Sequence, residues 1–232
     1  MKVAIMQPYL FPYIGYFQLI HAVDRFVVFD DVNFIKRGWI NRNRILLNGT
    51  DHMFTVPLVG VSQNKLINEI RIDPDIKWRE KILTTIRHAY RSAPHFDEVY
   101  PLVESTFMND SVMISDYARN SLEVICNYLN IETTIISSSK TYNGSELKGV
   151  ERIIDICKKE KANTYINAIG GTDLYNQSQF ETDGIKLHFL KTDTIRYTQG
   201  KNEFVKGLSI IDVVMFNSVE QTQSLLNQYE LI

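Results

Sequence analysis

The hydrophobic period changes twice within the first thirty residues, and no other feature restricts the fold as strongly. Val3 to Met6 is a short unbroken apolar run, the pattern of a strand buried on both faces. Gln7-Pro8-Tyr9 interrupts it, because proline has no N–H to give to a ladder. From Ile14 to Val23 the spacing becomes helical, with Ile14, Phe17, Leu19, Ile20 and Val23 on one broad side. Arg25 to Phe29 then returns to a buried strand that Asp30-Asp31 ends. Strand, loop, helix and strand in this space predict a βαβ unit with a right-handed crossover, and therefore a parallel pair.

The remaining pattern extends that sheet. Asn48-Gly49 between two apolar strands predicts a hairpin, and the alternation from Ile67 to Ile72 suggests another strand. Helical spacing covers Ile76 to Arg91, Phe96 to Phe107 and Val112 to Leu129. A strand at Thr133 to Ser137, an amphipathic helix at Glu146 to Lys159, and strands at Thr164 to Ile169 and Lys186 to Leu190 follow. Two helices, Ile210 to Phe216 and Val219 to Tyr229, close the chain, with Ser209 and Ser218 as N-caps. The expected fold is a single α/β domain over residues 1–232. It has a mostly parallel Rossmann-like sheet with flanking helices, a hairpin in the N-terminal half and a helical insert, which forms a possible subdomain at about 76–129.

Composition narrows the function. Apolar residues make up 44% of 232 residues, enough for a substantial core. The 25 basic and 27 acidic residues give no basic excess for long nucleic acid. The segment MKVAIMQPYLFPYIGYFQLI lacks a small-residue cleavage site, and no run reaches the roughly 20 apolar residues of a membrane span. A cytoplasmic protein is expected. Cys126 and Cys157 sit in apolar helical patterns and read as reduced core residues; no Cys/His spacing resembles a zinc site, and no metal ligand set is assigned. The five histidines are scattered, and no Walker loop, Gly-x-Ser-x-Gly elbow or Gly-x-Gly-x-x-Gly is present.

Ligands of open α/β sheets bind outside the carboxyl ends of the strands, and three unusual segments fall there. The first is the loop from Gln7 to Tyr16. Pro8 and Pro12 stiffen it, Gly15 allows close backbone approach, and Tyr9, Tyr13 and Tyr16 offer rings and hydroxyls. It reads either as a rigid cradle for a nucleotide or sugar or as a packed aromatic entry to the first helix. The second is Asp30-Asp31, a base or metal ligand in one reading and a solvated turn in the other. The third is Lys36-Arg37-Gly38-Trp39-Ile40-Asn41-Arg42-Asn43-Arg44, with four basic residues in nine positions and no acid. Arginine forks suit phosphate or carboxylate and Trp39 suits a ring, while a charged edge against aggregation is the other reading. Together the three are expected to line one crevice. Gly170-Gly171 marks a further strand end where a phosphate would fit. Leu225, Leu226 and Leu231 serve either core packing or a homodimer contact.

Several blocks in order resemble the WbqC-like family: IMQPYLFPYIGYFQLI, FDDVNFIKRGWINRNRI with its following NG turn and TVPL, ERIIDICK, YINAIGGTDLY and LSIIDVVMFN. Ala168 departs from the pattern, where proline is expected before Ile-Gly-Gly. The resemblance implies a bacterial protein of O-antigen or other surface-polysaccharide (lipopolysaccharide) biosynthesis, and transfer of glycine or a similar acyl group to a sugar. A more distant resemblance runs to adenylyl-transferring, HUP-like nucleotide-binding folds. Those carry His-x-Gly-His where this chain has Tyr13-Ile14-Gly15-Tyr16, so the donors that stabilise a transferring phosphoryl group are missing.

The expected function is therefore a transferase that adds an aminoacyl or acyl group to an amino sugar carried on a nucleotide. Asp30 or Asp31 would be the base and Gln7 the carbonyl-orienting group. Tyr9, Pro12, Gly15, Tyr16, Lys36, Arg37, Trp39, Asn41, Arg42, Arg44, Gly170 and Gly171 would bind substrate. The alternatives are a nucleotidylyltransferase using ATP or CTP with Mg²⁺, and a non-catalytic nucleotide-sugar-binding protein.

Overall fold

The computed structural model describes residues 1–201 and 203–232. Strand β1 (Lys2–Met6), helix α1 (Ile14–His21) and β2 (Arg25–Val28) make the opening βαβ unit. The hairpin β3 (Arg42–Leu47) and β4 (Thr50–Thr55) follows, then a small antiparallel pair, β5 (Leu58–Val59) and β6 (Arg71–Ile72). Helices α2 (Lys77–Tyr90), α3 (Phe96–Phe107) and α4 (Ile114–Tyr128) form the insert. The chain then runs through β7 (Thr134–Ile136), α5 (Gly149–Lys159), β8 (Thr164–Ala168), α6 (Gln177–Glu181) and β9 (Lys186–Thr192). It ends in α7 (Ile210–Phe216), α8 (Val219–Leu226) and β10 (Tyr229–Leu231).

Among the described residues the main sheet has six strands in the order β10-β9-β8-β1-β2-β7. All its pairings are parallel except that of β10 with β9. The architecture is thus α/β and Rossmann-like, as the sequence pattern predicts. Chain order proceeds outward from β1 on both sides, so the topology reverses between β1 and β8. Alternation along the strands sorts side chains into two layers. Val3, Ile5, Val27, Tyr165 and Leu187 pack under Ile153, Ile156 and Cys157 of α5 and Phe180 of α6. Ala4, Phe26, Val28 and Ile166 pack with α1, α7, α8 and the insert, whose Ile86, Val103, Leu122 and Ile125 lie in that same cluster. Among the described residues no helix is long and apolar enough to cross a membrane.

Most element boundaries agree with the sequence pattern, and the differences have local causes. Ile67–Glu69 is a 3-10 turn instead of the start of a strand. Buried Ile67 and Ile70 are three apart, the period of that turn, and the Glu69 carboxylate accepts the Leu66 N–H at 2.9 Å. The last helix stops at Leu226, short of the expected Tyr229. The buried Gln18 amide donates to the Leu225 and Gln228 carbonyls at 2.8 and 2.9 Å, which frees Tyr229–Leu231 to add the antiparallel edge strand. Helix α6 was not evident from the sequence; a reciprocal cap between Asn176 and Gln179 starts it. Ser209 and Ser218 do cap α7 and α8. Leu225 and Leu226 are buried in the core, while Leu231 lies exposed on the edge strand.

The hairpin turns at Asn48 and Gly49, with φ of 52° and 80°. Both are left-handed, the condition of a type I′ turn. Gly49→Ala is expected to lower stability by roughly 1–2 kcal/mol, with unchanged circular dichroism, in urea unfolding.

Candidate functional site

The loop after β1 is held from three directions. Phe11 takes φ of 42°, a left-handed backbone at a residue with a bulky side chain. Its N–H donates to Ser121 Oγ of α4 at 3.0 Å. Its carbonyl accepts from Asn43 Nδ2 of β3 at 2.7 Å and from Ser209 Oγ at 2.7 Å. Asn43 Nδ2 also donates to the Leu10 carbonyl at 3.0 Å. The Leu10 N–H reaches the Trp39 carbonyl at 3.1 Å, and Ile210 N–H reaches the Pro12 carbonyl at 2.8 Å. Tyr16 is buried, and its hydroxyl donates to the Gln7 carbonyl at 2.7 Å, so it fixes the loop's first residue. A Cβ on Gly15 would meet the Tyr13 ring at 2.4 Å and Thr192 Oγ1 at 2.5 Å, so the glycine lets Tyr13 and β9 close onto the first turn of α1.

This arrangement brings the loop against the hairpin and against the segment from 193 to 209. Tyr9, Pro12, Tyr13, Trp39 and Arg44 line a cavity of about 230 Å³. A larger cavity of about 740 Å³, lined by Tyr13, Arg44, Asp193, Arg196, Tyr197 and Lys206 among others, shares Tyr13, Arg44 and Gly207 with it. That volume lies within the usual range of ligand sites. Burial raises the Tyr9 and Tyr13 phenols above their ordinary pKa, so both are neutral donors.

Arg44 stands where the two cavities meet. Its guanidinium stacks on the Trp39 ring, 5.6 Å from the centroid. One Nη donates to the Gly207 carbonyl at 3.1 Å and the other reaches Asp51 at 3.3 Å, while its buried Nε has no partner among the described residues. Arg42 differs. It donates to the Gly38 carbonyl at 3.0 Å and to the Arg37 carbonyl, closing its own turn. Asn41 Nδ2 donates to the Val56 carbonyl at 2.8 Å and ties down the end of β4. Lys36 and Arg37 stay exposed on the preceding turn.

The acidic pair lies elsewhere. Asp30 and Asp31 line a separate cavity of about 550 Å³ beyond the ends of β2 and β7, and it shares no lining residue with the Arg44 cavities. The expected single crevice is therefore two sites on opposite sides of β1. The cause is strand order, because β2 and β7 lie on one side of β1 while β8 and β9 lie on the other. Asp31 is fully engaged: Arg152, itself buried, donates to Oδ2 at 2.9 Å, and Ser139 Oγ donates to Oδ1. Asp30 accepts from Ser138 Oγ at 2.6 Å, and burial, with the neighbouring Asp31 charge adding to it, raises its carboxyl pKa. Gln7, Gly170 and Gly171 line none of these three cavities. Gly171 instead makes room for Asn167, whose Nδ2 would lie 2.4 Å from an added Cβ. Ala168 has φ of −67°, the value a proline would fix.

Sequence reasoning missed Asp193, Arg196, Tyr197 and Lys206. The available signal was the stretch from 193 to 209, which has no regular element among its described residues and exceeds the roughly 12–15 residues beyond which loops are usually functional. It is anchored by Asp212. That fully buried carboxylate accepts from Tyr90 at 2.8 Å, Tyr197 at 2.6 Å and Gln199 at 2.7 Å, and burial raises its pKa. Cys126 and Cys157 are buried free thiols pushed up to about 12, inert as the sequence suggests.

The fold is that of a Rossmann-like α/β protein, with cavities on both sides of β1 along the carboxyl edge of its sheet. A family model described as the WbqC-like protein family matches residues 7–224, and the chain belongs to that family. An uncharacterized protein of Mycobacterium tuberculosis (strain ATCC 25618 / H37Rv), Rv1507c, is 31% identical over 219 residues, covering 93% of each chain. No solved structure matches the chain.

Two stability predictions follow from the acidic cavity. Arg152→Leu leaves Asp31 buried without its cation and is expected to cost about 3–5 kcal/mol in urea unfolding. Asp30 binds its proton more tightly in the folded chain than in the unfolded one. Its contribution is therefore fully present below the ordinary carboxyl pKa and is lost as pH rises through the raised value. Asp30→Asn should accordingly gain stability relative to the parent on going from pH 3 to pH 7, read as the difference between their melting temperatures across that range.

Proposed function

We propose that the protein is a transferase that adds an aminoacyl or acyl group, such as glycine, to an amino sugar held as its nucleotide diphosphate in the Arg44 cavities. Family membership supports a role in surface-polysaccharide biosynthesis. The observation that carries the reading is Arg44, whose buried Nε lacks a partner at the junction of two cavities. Arg196 and Lys206 line the larger of them. Three cations beside Tyr9, Tyr13 and Trp39 suit a diphosphate joined to rings, since guanidinium forks bind phosphate and aromatic faces bind bases and sugars.

In this reading Arg44, Arg196 and Lys206 hold the diphosphate, and the aromatic side chains shape the ring walls. The sugar amine attacks the acyl carbonyl, the new C–N bond forms, the donor's leaving group departs, and the amine proton passes to a carboxylate. Asp193 lines the same cavity and is assigned that role. Calorimetric titration with UDP-, GDP- and dTDP-linked amino sugars tests the proposal. At least one should bind, and Arg44→Ala should weaken it roughly 10-fold or more, a change of about 1.4 kcal/mol. Failure of every nucleotide sugar to bind the folded parent protein would overturn it.

A further inference from the structure

The cavity beyond β2 and β7 remains outside that reading, and its unpaired groups are specific. Asp30 is 4% exposed. Its Oδ1 accepts from Ser138, and no side-chain donor among the described residues reaches its Oδ2. Ser115, in the first turn of α4, is also 4% exposed and lines the cavity, and its hydroxyl has no partner among the described residues. Both residues line the cavity, so their polar atoms are open to whatever occupies it. Both are satisfied if a ligand brings the missing donors and acceptors.

The charges around them define the ligand's sign. Arg152 is committed to Asp31 and Asp155, and both oxygens of Asp31 are taken. Asp116 pairs with Arg119 at 3.5 Å, and Asp30 and Glu69 remain against exposed Lys140, so the balance in the cavity is acidic. Asn68, Ser138 and Asn143 add amide and hydroxyl groups to the lining. Such a surface pairs with a cation and with several hydroxyls.

We infer that this cavity is a second binding site, for a small polyhydroxylated primary amine, with the ammonium on Asp30 and a hydroxyl on Ser115. The inference does not rest on the nucleotide reading of the Arg44 cavities, since the two sites share no lining residue. It predicts selection by charge among ligands of one shape, because only the amine forms a charge-assisted bond to Asp30.

The test is an amide-resolved NMR titration of the full chain with glucosamine, glucose and magnesium chloride in separate arms. Glucosamine should shift the Asp30 and Ser115 amides and bind at least tenfold more tightly than glucose. Asp30→Asn should abolish that preference, and Ser115→Ala should weaken glucosamine several-fold while the melting temperature stays near that of the parent. Both variants should bind a nucleotide sugar as the parent does, which separates this site from the other. Equal binding of glucose and glucosamine, a response to magnesium alone, or an unchanged preference in Asp30→Asn would overturn the inference.

Discussion

The site depends first on the side-chain amide of Asn43. Its Nδ2 bridges the carbonyls of Leu10 and Phe11, and its Oδ1 accepts the Arg44 N–H at 2.8 Å, all in a residue 4% exposed. One buried amide therefore joins the loop after β1 to the first strand of the hairpin. The loop needs that support because Phe11 is left-handed without being glycine. Such a backbone is unfavourable by roughly 1–2 kcal/mol for an L-residue. Three hydrogen bonds to Phe11, at about 0.5–1.5 kcal/mol each, are enough to offset it. The consequence is positional: with the loop and β3 fixed to each other, Tyr9 and Tyr13 face Trp39 and Arg44 across one cavity.

Strand order then separates charge. Beyond β9 the chain supplies Arg196 and Lys206 beside Arg44, and beyond β2 and β7 it supplies Asp30 and Asp31 with Ser138. A net charge of −2 conceals this division, because it averages two local fields of opposite sign. At roughly 10 Å, the screening length in 0.1 M salt, exposed charges in the two cavities cease to influence one another strongly. Two sites on one sheet edge can therefore prefer ligands of opposite charge.

What the sequence disclosed follows from which forces are local. The βαβ start, the Asn48-Gly49 turn and the serine caps at Ser209 and Ser218 depend on near neighbours, and they stand where the pattern put them. The strand order depends on which distant segments pair, and no local signal carries it. Hence Gln7 to Arg44 read as one crevice, although β1 divides it. Arg42 and Arg44 illustrate the same limit. Two residues apart on one strand, they look alike in sequence, yet one closes its own turn and the other stands at the junction of two cavities. Ser121 and Ser209, which hold Phe11, lie 110 and 198 positions away from it, so nothing near the loop announces them.

Asp30, Asp31 and Asp212 are sorted by their donors and not by burial. Asp212 is fully buried without a cation, but two tyrosine hydroxyls and the Gln199 amide supply it, and its work is to anchor the segment from 193 to 209. Asp31 has a side chain 6% exposed and is held by Arg152 and Ser139, so it serves as the counter-charge that positions α5 against β2. Asp30 is as buried as its neighbour but receives side-chain donors on one oxygen only. A fold that needed Asp30 solely for structure would be better served by asparagine, which keeps a hydrogen bond to Ser138 without a buried charge to stabilise. Its second oxygen, which no side chain supplies, lines the same cavity as Ser115, and a ligand amine there would pair with the charge that asparagine lacks.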